Sequence, residues 1–254
     1  MPEFAGKTLI ITGGGGHVAT CLARLFGREG AAVVGLDISD AALQSFTAAV
    51  REVGGKSLAI ACDLKDWGAL KTAVDQAAKE FGSVDILINA ATARTNPVFK
   101  PVEECSHAEM TELMEVGPNG ALGAMQAVFP YMRDKGGKII NFGAGAGRSQ
   151  GSVLGLGPYG VSKAAVHSLT KVAAKEWAKY RINVNGILPF VMTPNMARTM
   201  REGPERLAGS MPPLGWAGDP ERDIGRVALF LASSASDYVT GQNLPVDGGV
   251  DMMM

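Results

Sequence analysis

Short apolar runs alternate along the chain with longer segments of helical periodicity. The runs are apolar on both faces and rich in β-branched residues, as expected of buried parallel strands. They span residues 8–12, 31–37, 57–63, 84–90, 137–143, 181–187 and 242–248. Helices are predicted between them at 17–29, 40–53, 66–81, 106–134, 160–179 and 221–234, with Ser39, Asp66, Ser106 and Asp219 at or near their N-caps. This alternation predicts an α/β fold with one doubly wound parallel sheet of about seven strands and helices on both faces.

No linker, internal repeat or low-complexity segment interrupts the alternation, so residues 1–254 are expected to form one domain. The irregular stretch 189–219 is rich in Pro, Met and Gly and is predicted to form a substrate lobe or lid. Its methionines fit an adaptable apolar lid and plain packing about equally well. Ligands of such sheets lie beyond the carboxyl ends of the strands, where we expect the site.

Composition limits the class of function. Apolar residues make up 46% of the chain and charged ones 19%, with a net charge of −1 and Lys and Arg scattered along it. The sequence therefore shows neither a basic patch that would bind nucleic acid nor a polybasic segment that would bind a membrane. Cys21, Cys62 and Cys105 form no CxxC pair, so neither a metal site nor a disulfide framework is predicted. No signal peptide or long apolar span is visible, and we expect a cytoplasmic protein.

A glycine-rich turn, TGGGGHVATCLARL, follows the first predicted strand and opens a helix. Such a turn lets backbone approach a pyrophosphate, which rests on the N–H groups at the positive end of the helix. The next strand ends in Asp37, whose carboxylate can accept hydrogen bonds from an adenosine ribose and repel a 2′-phosphate. No Arg or Lys adjoins it in LDISDA, so NAD is favoured over NADP. Asp37 is alternatively a turn residue ahead of the helix capped at Ser39.

The segment YGVSK places Tyr159 and Lys163 on one face of a helix started by Pro158. A neighbouring ammonium and the positive nicotinamide of an oxidised cofactor are expected to lower the pKa of the phenol, so that it can act as acid and base. The nearby GRSQG resembles a hydrolase nucleophile elbow. However, a hydrolase triad requires an Asp or Glu and then a His after the serine. No acid lies between Ser149 and His167 and no histidine follows His167, so the triad is excluded.

Taken together, the chain resembles the classical short-chain dehydrogenase/reductases over essentially its whole length. The segments that carry the resemblance are TGGGGHVA, ACDL, DILINAAT, YGVSK, NGILPFVMT and YVTGQNLPVDGG. The family implies a Rossmann-type single domain, the cofactor NAD(P)(H) and reversible oxidation of an alcohol to a ketone. It also suggests a homotetramer built through helices 106–134 and 160–179 and the C-terminal segment.

The resemblance also implies roles for individual residues in cofactor binding. Asp63 would meet the adenine amino group, Asn89 would hold the cofactor loop, and Thr193 would hold the carboxamide. Lys163 would bind the nicotinamide ribose and tune Tyr159. The full predicted cofactor set is Gly13, Gly16, His17, Val18, Asp37, Asp63, Leu64, Asn89, Lys163, Pro189, Val191 and Thr193.

The chain departs from the family pattern at two glycines of the turn and at the catalytic serine. His17 and Ala19 stand where the second and third glycines are expected, and we expect His17 to point outward or to contact phosphate. The serine that bonds the substrate oxygen is replaced by Ala144. Ser149 or Ser152 could fold back into its place, or backbone N–H groups of GAGAG could act as donors.

The asparagine that the family often places in the helix after the fourth strand is replaced by Gly117. Asn119 points roughly 200° away around a helix and is a poor substitute. Pro118 lacks an N–H and is expected to open the helix. We hypothesise that water at a carbonyl freed there continues a proton relay from Lys163.

The expected function is therefore NAD-dependent interconversion of a secondary alcohol and a ketone on a mostly apolar small molecule. The substrate expectation depends on the Met-rich lobe and on Thr92, Arg94 and Phe190. Two alternatives stay open. One is a non-redox isomerase, lyase or dehydratase that uses Tyr159, and the other is an NAD-binding protein with impaired catalysis. His107 and His167 are expected to be ordinary surface or core residues.

Overall fold

A computed structural model describes residues 2–93, 102–148, 156–194, 197–198 and 211–251. Its seven strands form one sheet in which every described pairing is parallel. The strands are β1 (Thr8–Thr12), β2 (Ala32–Asp37), β3 (Lys56–Ala61), β4 (Ile86–Asn89), β5 (Gly137–Phe142), β6 (Ile182–Pro189) and β7 (Asn243–Val246). They are arranged in the order β3-β2-β1-β4-β5-β6-β7. The order reverses between β1 and β4, which leaves a crevice at their carboxyl ends.

The helices follow the strands in turn. They are α1 (His17–Arg28), α2 (Asp40–Glu52), α3 (Trp67–Phe81), α4 (His107–Met114), α5 (Gly120–Met132), α6 (Gly157–Trp177) and α7 (Arg226–Ala232). Two π-helical turns join them, Glu115–Asn119 between α4 and α5 and Pro220–Gly225 before α7. None of the helices in the described ranges combines the length and the apolar character needed to cross a bilayer.

Two buried clusters cover the two faces of the sheet. The first cluster packs α3, α5 and α6 against strand residues such as Ile10 and Leu87. The second packs α1, α2 and α7 against the residues that alternate with these, such as Leu9 and Ile88. Because adjacent strand residues face opposite sides, strands that are apolar at every position require helices on both faces. The predicted fold class is confirmed.

The predicted helix starts are also close to the observed ones. Ser39, Asp66 and Ser106 accept a backbone N–H three residues on, and Asp219 accepts those of Glu221 and Arg222. Helix α6 starts at Gly157, three residues before the predicted start, because Pro158 suits its first turn. Residues 195–196 and 199–210 of the predicted lobe at 189–219 lie outside the described residues.

Candidate active site

The glycine-rich turn lies at the carboxyl end of β1 and is packed too closely to admit side chains. Gly13 has φ of 69°, and a Cβ there would lie 2.7 Å from the Ala91 Cα. A Cβ at Gly14 would lie 2.9 Å from the Gly35 Cα, and one at Gly15 would overlap the Ala42 Cβ. The turn therefore presents bare backbone, which is what close approach of a pyrophosphate requires.

Helix α1 begins directly after this turn. Its N-cap is Gly16, which provides no side-chain cap for the first N–H groups. His17 is the exposed first residue of the helix, Val18 is half-buried, and Ala19 is buried in the core. The imidazole in place of a family glycine therefore points to the surface, while Ala19 packs where a third glycine is expected.

Asp37 ends β2 and ties that strand to the glycine turn. Its Oδ2 accepts from the Gly15 N–H at 3.0 Å, and its Oδ1 accepts from the Ser39 N–H at 2.9 Å. The carboxylate is half-buried beside the turn. It therefore serves both as the turn residue of the alternative interpretation and as a carboxylate placed beside the predicted ribose.

Asp63 and Leu64 follow β3 on the same edge of the sheet. The Asp63 carboxylate is 40% exposed and accepts from the Lys65 N–H at 3.0 Å. Lys65 Nζ lies 4.0 Å from Asp63 and 3.2 Å from the Glu112 carboxylate on α4. Leu64 is buried and lines a cavity that also reaches Asn89 and Lys163.

Asn89 ends β4 and belongs to a buried hydrogen-bonded chain across three strand ends. Its Oδ1 accepts from Thr12 Oγ1 at 3.4 Å, and its Nδ2 donates to Asn141 Oδ1 at 2.9 Å. Asn141 Nδ2 in turn donates to Thr170 Oγ1 on α6 at 2.9 Å. Asn89 thus bonds Thr12, the residue just before the glycine turn, and its role in holding the cofactor loop stays a prediction.

Tyr159 and Lys163 lie one turn apart on α6. The buried Lys163 Nζ donates to the Phe142 carbonyl at the end of β5 at 2.9 Å and lies 5.6 Å from the centre of the Tyr159 ring. Tyr159 is half-buried at the start of the helix. The predicted pairing on one face of α6 is therefore present, beside the carboxyl ends of the strands.

Burial shifts both groups toward their neutral forms. It raises the pKa of Tyr159 to about 12 and lowers the pKa of Lys163 to about 8. The cause for Tyr159 is desolvation of the phenolate, and the lowering expected from the sequence requires the positive nicotinamide of a bound cofactor as well as Lys163. The protein fold alone therefore keeps Tyr159 protonated.

The loop Gly143–Arg148 lies between β5 and α6 and contains Ala144, the residue in the serine position. Four of its amides are already engaged. The Gly143 N–H donates to the Ile187 carbonyl, Gly147 to the Ala144 carbonyl, and Arg148 to the Gly145 carbonyl. The Ala144 N–H donates to His167 Nε2 at 3.4 Å. Ser149 and Ser152, the predicted substitutes, lie outside the described residues.

Gly117 lies in the π-helical turn Glu115–Asn119, so the predicted opening of the helix at Pro118 is present. The Leu113 carbonyl, five residues before Pro118, accepts from Ser162 Oγ at 2.9 Å. A Cβ at Gly117 would lie 2.5 Å from the same hydroxyl oxygen. Ser162 therefore occupies the space into which a side chain at Gly117 would project.

The predicted carboxamide segment follows β6. Pro189 ends the strand, and Val191 forms an isolated parallel bridge with Gly218. The Phe190 N–H donates to the Val246 carbonyl of β7 at 3.1 Å. Pro189, Val191 and Thr193 are all half-buried. They share the carboxyl edge of the sheet with the glycine turn and Tyr159.

Comparison with known proteins agrees with this geometry. A sequence model described as enoyl-(acyl carrier protein) reductase matches residues 17–251. The chain is 33% identical to a 3-oxoacyl-(acyl-carrier-protein) reductase of Thermotoga maritima, over 98% of this chain and 99% of that protein. It is 32% identical to a 12alpha-hydroxysteroid dehydrogenase of a Clostridium species, over 98% of both. The chain belongs to the classical short-chain dehydrogenase/reductase family.

Solved structures of this short-chain dehydrogenase/reductase family superpose closely. An NAD+-bound xylitol dehydrogenase matches with a TM-score of 0.88 and 30% identity, over 97% of this chain and 100% of that one. A carveol dehydrogenase from Mycobacterium avium in complex with NAD also has a TM-score of 0.88, with 26% identity over 98% and 99% of the two chains. The family resemblance, the Rossmann-type fold and the oxidoreductase class are thereby confirmed.

Sequence reasoning missed the contacts of two residues near this short-chain dehydrogenase site. His167 was expected to be an ordinary histidine, yet its ring contacts the loop in the serine position. Ser162 had no assigned role, although its hydroxyl reaches α4. For His167 a signal existed, since it follows Lys163 by four residues, as Lys163 follows Tyr159.

Proposed function

We propose that this chain interconverts a secondary alcohol and a ketone on a mostly apolar small molecule, with Tyr159 as acid and base. The pairing of Tyr159 with Lys163 on one face of α6 carries the proposal. Both side chains lie at the same edge of the sheet as the glycine turn. A substrate bound between Tyr159 and a cofactor on that turn would therefore contact the phenol and the cofactor together.

The cofactor is NAD, and the described residues fit it. The bare backbone of Gly13–Gly16 and the uncapped start of α1 suit a pyrophosphate. Asp37 stands where the ribose hydroxyls would need an acceptor, and its charge disfavours a 2′-phosphate. Two structural relatives are named as NAD complexes. When bound, NAD supplies or accepts the hydride at its nicotinamide.

In the direction of reduction, the Tyr159 hydroxyl donates its proton to the substrate carbonyl oxygen. With its pKa raised to about 12, the phenol is protonated at neutral pH and ready to donate. In the direction of oxidation, Tyr159 must act as a phenolate, which the Lys163 ammonium and a positively charged nicotinamide would stabilise. Burial therefore favours proton donation over proton abstraction.

A second hydrogen-bond donor to the substrate oxygen is proposed to come from the backbone. Among the described amides of Gly143–Arg148, those of residues 143, 144, 147 and 148 donate within the protein. This leaves the Gly145 and Ala146 N–H groups as the candidates within this loop. Losing one such donor typically costs about 2.7–4 kcal/mol of barrier, so catalysis without the serine is slowed rather than abolished.

The proton relay from Lys163 is proposed to pass through a small cavity behind the site. The cavity has a volume of about 10 Å³ and is lined by Lys163, Gly117, Thr12 and Asn89 among others. A volume of about 10–15 Å³ is the least that holds one water molecule, and this lining offers it polar partners. The Leu113 carbonyl in the turn at Pro118 is occupied by the Ser162 hydroxyl, so the relay water is proposed in this cavity beside Lys163 and Gly117 rather than at a carbonyl freed by Pro118.

The substrate class is proposed from the apolar residues expected at the mouth of the site, such as Phe190 and Met192. A relative named for a hydroxysteroid supports an apolar substrate, while one named sorbitol dehydrogenase, from Cereibacter sphaeroides and 34% identical over 96% of this chain and 97% of that protein, marks the polar alternative. A homotetramer is proposed from the family resemblance, and a cytoplasmic location stays the expectation drawn from the sequence.

The test is a screen of secondary alcohols with NAD and of ketones with NADH, with Tyr159→Phe as the control. We expect a change in the reduced-nicotinamide absorbance that falls by about 10²–10⁴-fold in the variant. Isothermal titration should show that the variant still binds NAD, because the hydroxyl removed is at the reacting end.

The same screen separates the alternatives. Conversion of substrate that depends on Tyr159, with no change in reduced nicotinamide, would favour an isomerase or lyase. Tight NAD binding with no Tyr159-dependent conversion of any kind would favour a protein that binds the cofactor without catalysis.

A further inference from the structure

His167 is a buried histidine that the proposed chemistry does not use. It lies two turns after Tyr159 on α6, on the same face as Tyr159 and Lys163, and is 8% exposed. Its backbone carbonyl accepts from Asn243 Nδ2 at 3.2 Å, and its ring points toward the loop Gly143–Arg148. The ring nitrogen Nε2 accepts from the Ala144 N–H at 3.4 Å.

Two glycines of the loop, Gly143 and Gly147, pack directly against the His167 ring. A Cβ at Gly143 would overlap Nε2 of His167. A Cβ at Gly147 would lie 3.0 Å from the Cε1 of the same ring and 2.7 Å from the Ala164 N atom. The imidazole therefore fills the space between two loop glycines, and no side chain at Gly143 could share it.

The loop is also held at its far end. Arg148 Nε lies 3.7 Å from the carboxylate of Asp251, which is 8% exposed. The Ala146 carbonyl packs against Gly160, whose Cβ, if present, would lie 2.7 Å from it. The loop thus rests on the helix turn that carries Tyr159, with His167 beneath Ala144 and Asp251 beside Arg148.

We propose that His167 is a positioning residue that holds Ala144, and with it the candidate donors Gly145 and Ala146, in place beside Tyr159. A family enzyme places a serine hydroxyl directly at the residue-144 position. Here the proposed donor is a backbone N–H of the loop, so its position depends on the residues against which the loop packs. This inference is based on the proposed function of Tyr159.

The hydrogen bond requires a neutral ring with its proton on Nδ1, because Nε2 must accept. The charged groups around the ring favour that form. Lys163 and Lys171 on α6 and Arg148 on the loop act on the ring as positive charges, and among the described residues Asp251 is a carboxylate 3.7 Å from Arg148. Leu188 and Asn243, which approach from β6 and β7, carry no charge. Burial and these cations lower the pKa of His167 to about 4.

The test compares His167→Gln with His167→Leu. The glutamine oxygen Oε1 can reach where Nε2 lies and accept from Ala144, whereas leucine fills the space without an acceptor. We expect the leucine variant to lose about 10–100-fold in kcat, as misplacement of a reacting group by roughly 1 Å does, with KM for NAD unchanged. The glutamine variant should keep kcat within about threefold. The exposed His107→Gln is the matched control.

A second measurement does not depend on turnover. Nitrogen-15 NMR of the histidine rings in the wild-type protein should show His167 with Nδ1 protonated and Nε2 unprotonated from pH 6 to pH 8. A ring protonated on Nε2 would overturn the inference, as would wild-type kcat in the leucine variant or equal losses in both variants. Failure of the proposed function would give a different result. The Tyr159→Phe variant would then turn over at the wild-type rate, while the His167 ring would still be protonated on Nδ1.

Discussion

At the scale of single residues, burial acts on three ionisable groups of the site, and a fourth, the carboxylate of Asp37, is half-buried. Tyr159, Lys163 and His167 each have a pKa shifted toward the uncharged form by desolvation. At neutral pH Tyr159 therefore stays protonated, while Lys163, with a pKa of about 8, still carries most of its charge, and the charge of a docked cofactor adds to it in the oxidation direction. For Asp37, in contrast, we propose a role in recognition of the cofactor ribose.

Asp37→Ser should weaken NAD binding and reduce the preference for NAD over NADP. The variant removes an acceptor for the ribose and a charge that repels a 2′-phosphate, and a hydrogen bond to a charged group is worth about 1.5–3 kcal/mol. We therefore expect KM for NAD to rise about 10–100-fold. Asp40→Ser, an exposed acid three residues on, is the control and should leave both cofactor constants within about twofold.

His167 should make the stability of the fold depend on pH. Its pKa is about 4 in the folded protein and 6.5 as the ordinary value, so the unfolded chain binds more protons between these values. Stability should therefore rise with pH from about 4 to about 6.5 and be unaffected by this group above that window. Thermal melts of wild type and His167→Gln should diverge below about pH 6, with the wild type losing more. Parallel curves would contradict the assignment.

At the scale of elements, the unusual feature is the π-helical turn between α4 and α5. Pro118 cannot donate a backbone hydrogen bond, and the Leu113 carbonyl accepts the Ser162 hydroxyl of α6. The turn brings Gly117 so close to Ser162 that a Cβ there would lie 2.5 Å from the hydroxyl oxygen, which would have to move. A side chain at this position would therefore have to displace the Ser162 hydroxyl from its hydrogen bond with the Leu113 carbonyl.

Gly117→Ala should therefore destabilise the protein, and Ser162→Ala should relieve the effect. The added methyl would lie 2.5 Å from Ser162 Oγ, and overpacking of a core typically costs about 1–3 kcal/mol. In the double variant the clash disappears, so a denaturant-unfolding cycle should give a favourable coupling of about 0.5–3 kcal/mol. Additive free energies would show that the two elements are not in contact as described.

At the scale of the whole molecule, the order of the strands brings the site together. Reversal between β1 and β4 leaves the glycine turn, Asn89 and α6 around one crevice. The apolar runs predicted this sheet, and local signals such as Ser106 and Asp219 predicted where helices begin, because N-capping depends on nearby residues only. The contact of His167 with Ala144 and that of Ser162 with Leu113 could not be predicted. They depend on how α6 packs against distant segments, which periodicity does not specify.

Binding of NAD across this crevice should stabilise the whole fold. A ligand that binds only the folded state at 100 times its Kd adds about 2.7 kcal/mol. We expect the melting temperature to rise by several degrees with NAD and to rise much less with NADP at equal concentration. Equal shifts with the two cofactors would contradict the role given to Asp37.

The central claim is that the protein transfers hydride while Tyr159 transfers the proton. The most direct measurement supplies NADH that carries deuterium at both C4 positions, together with the best ketone from the screen, and locates the label by mass spectrometry. We predict deuterium on the carbinol carbon of the product with wild type, and a loss of about 10²–10⁴-fold in its rate of appearance with Tyr159→Phe. Product without deuterium at that carbon, or labelled at the same rate by the variant, would contradict the claim.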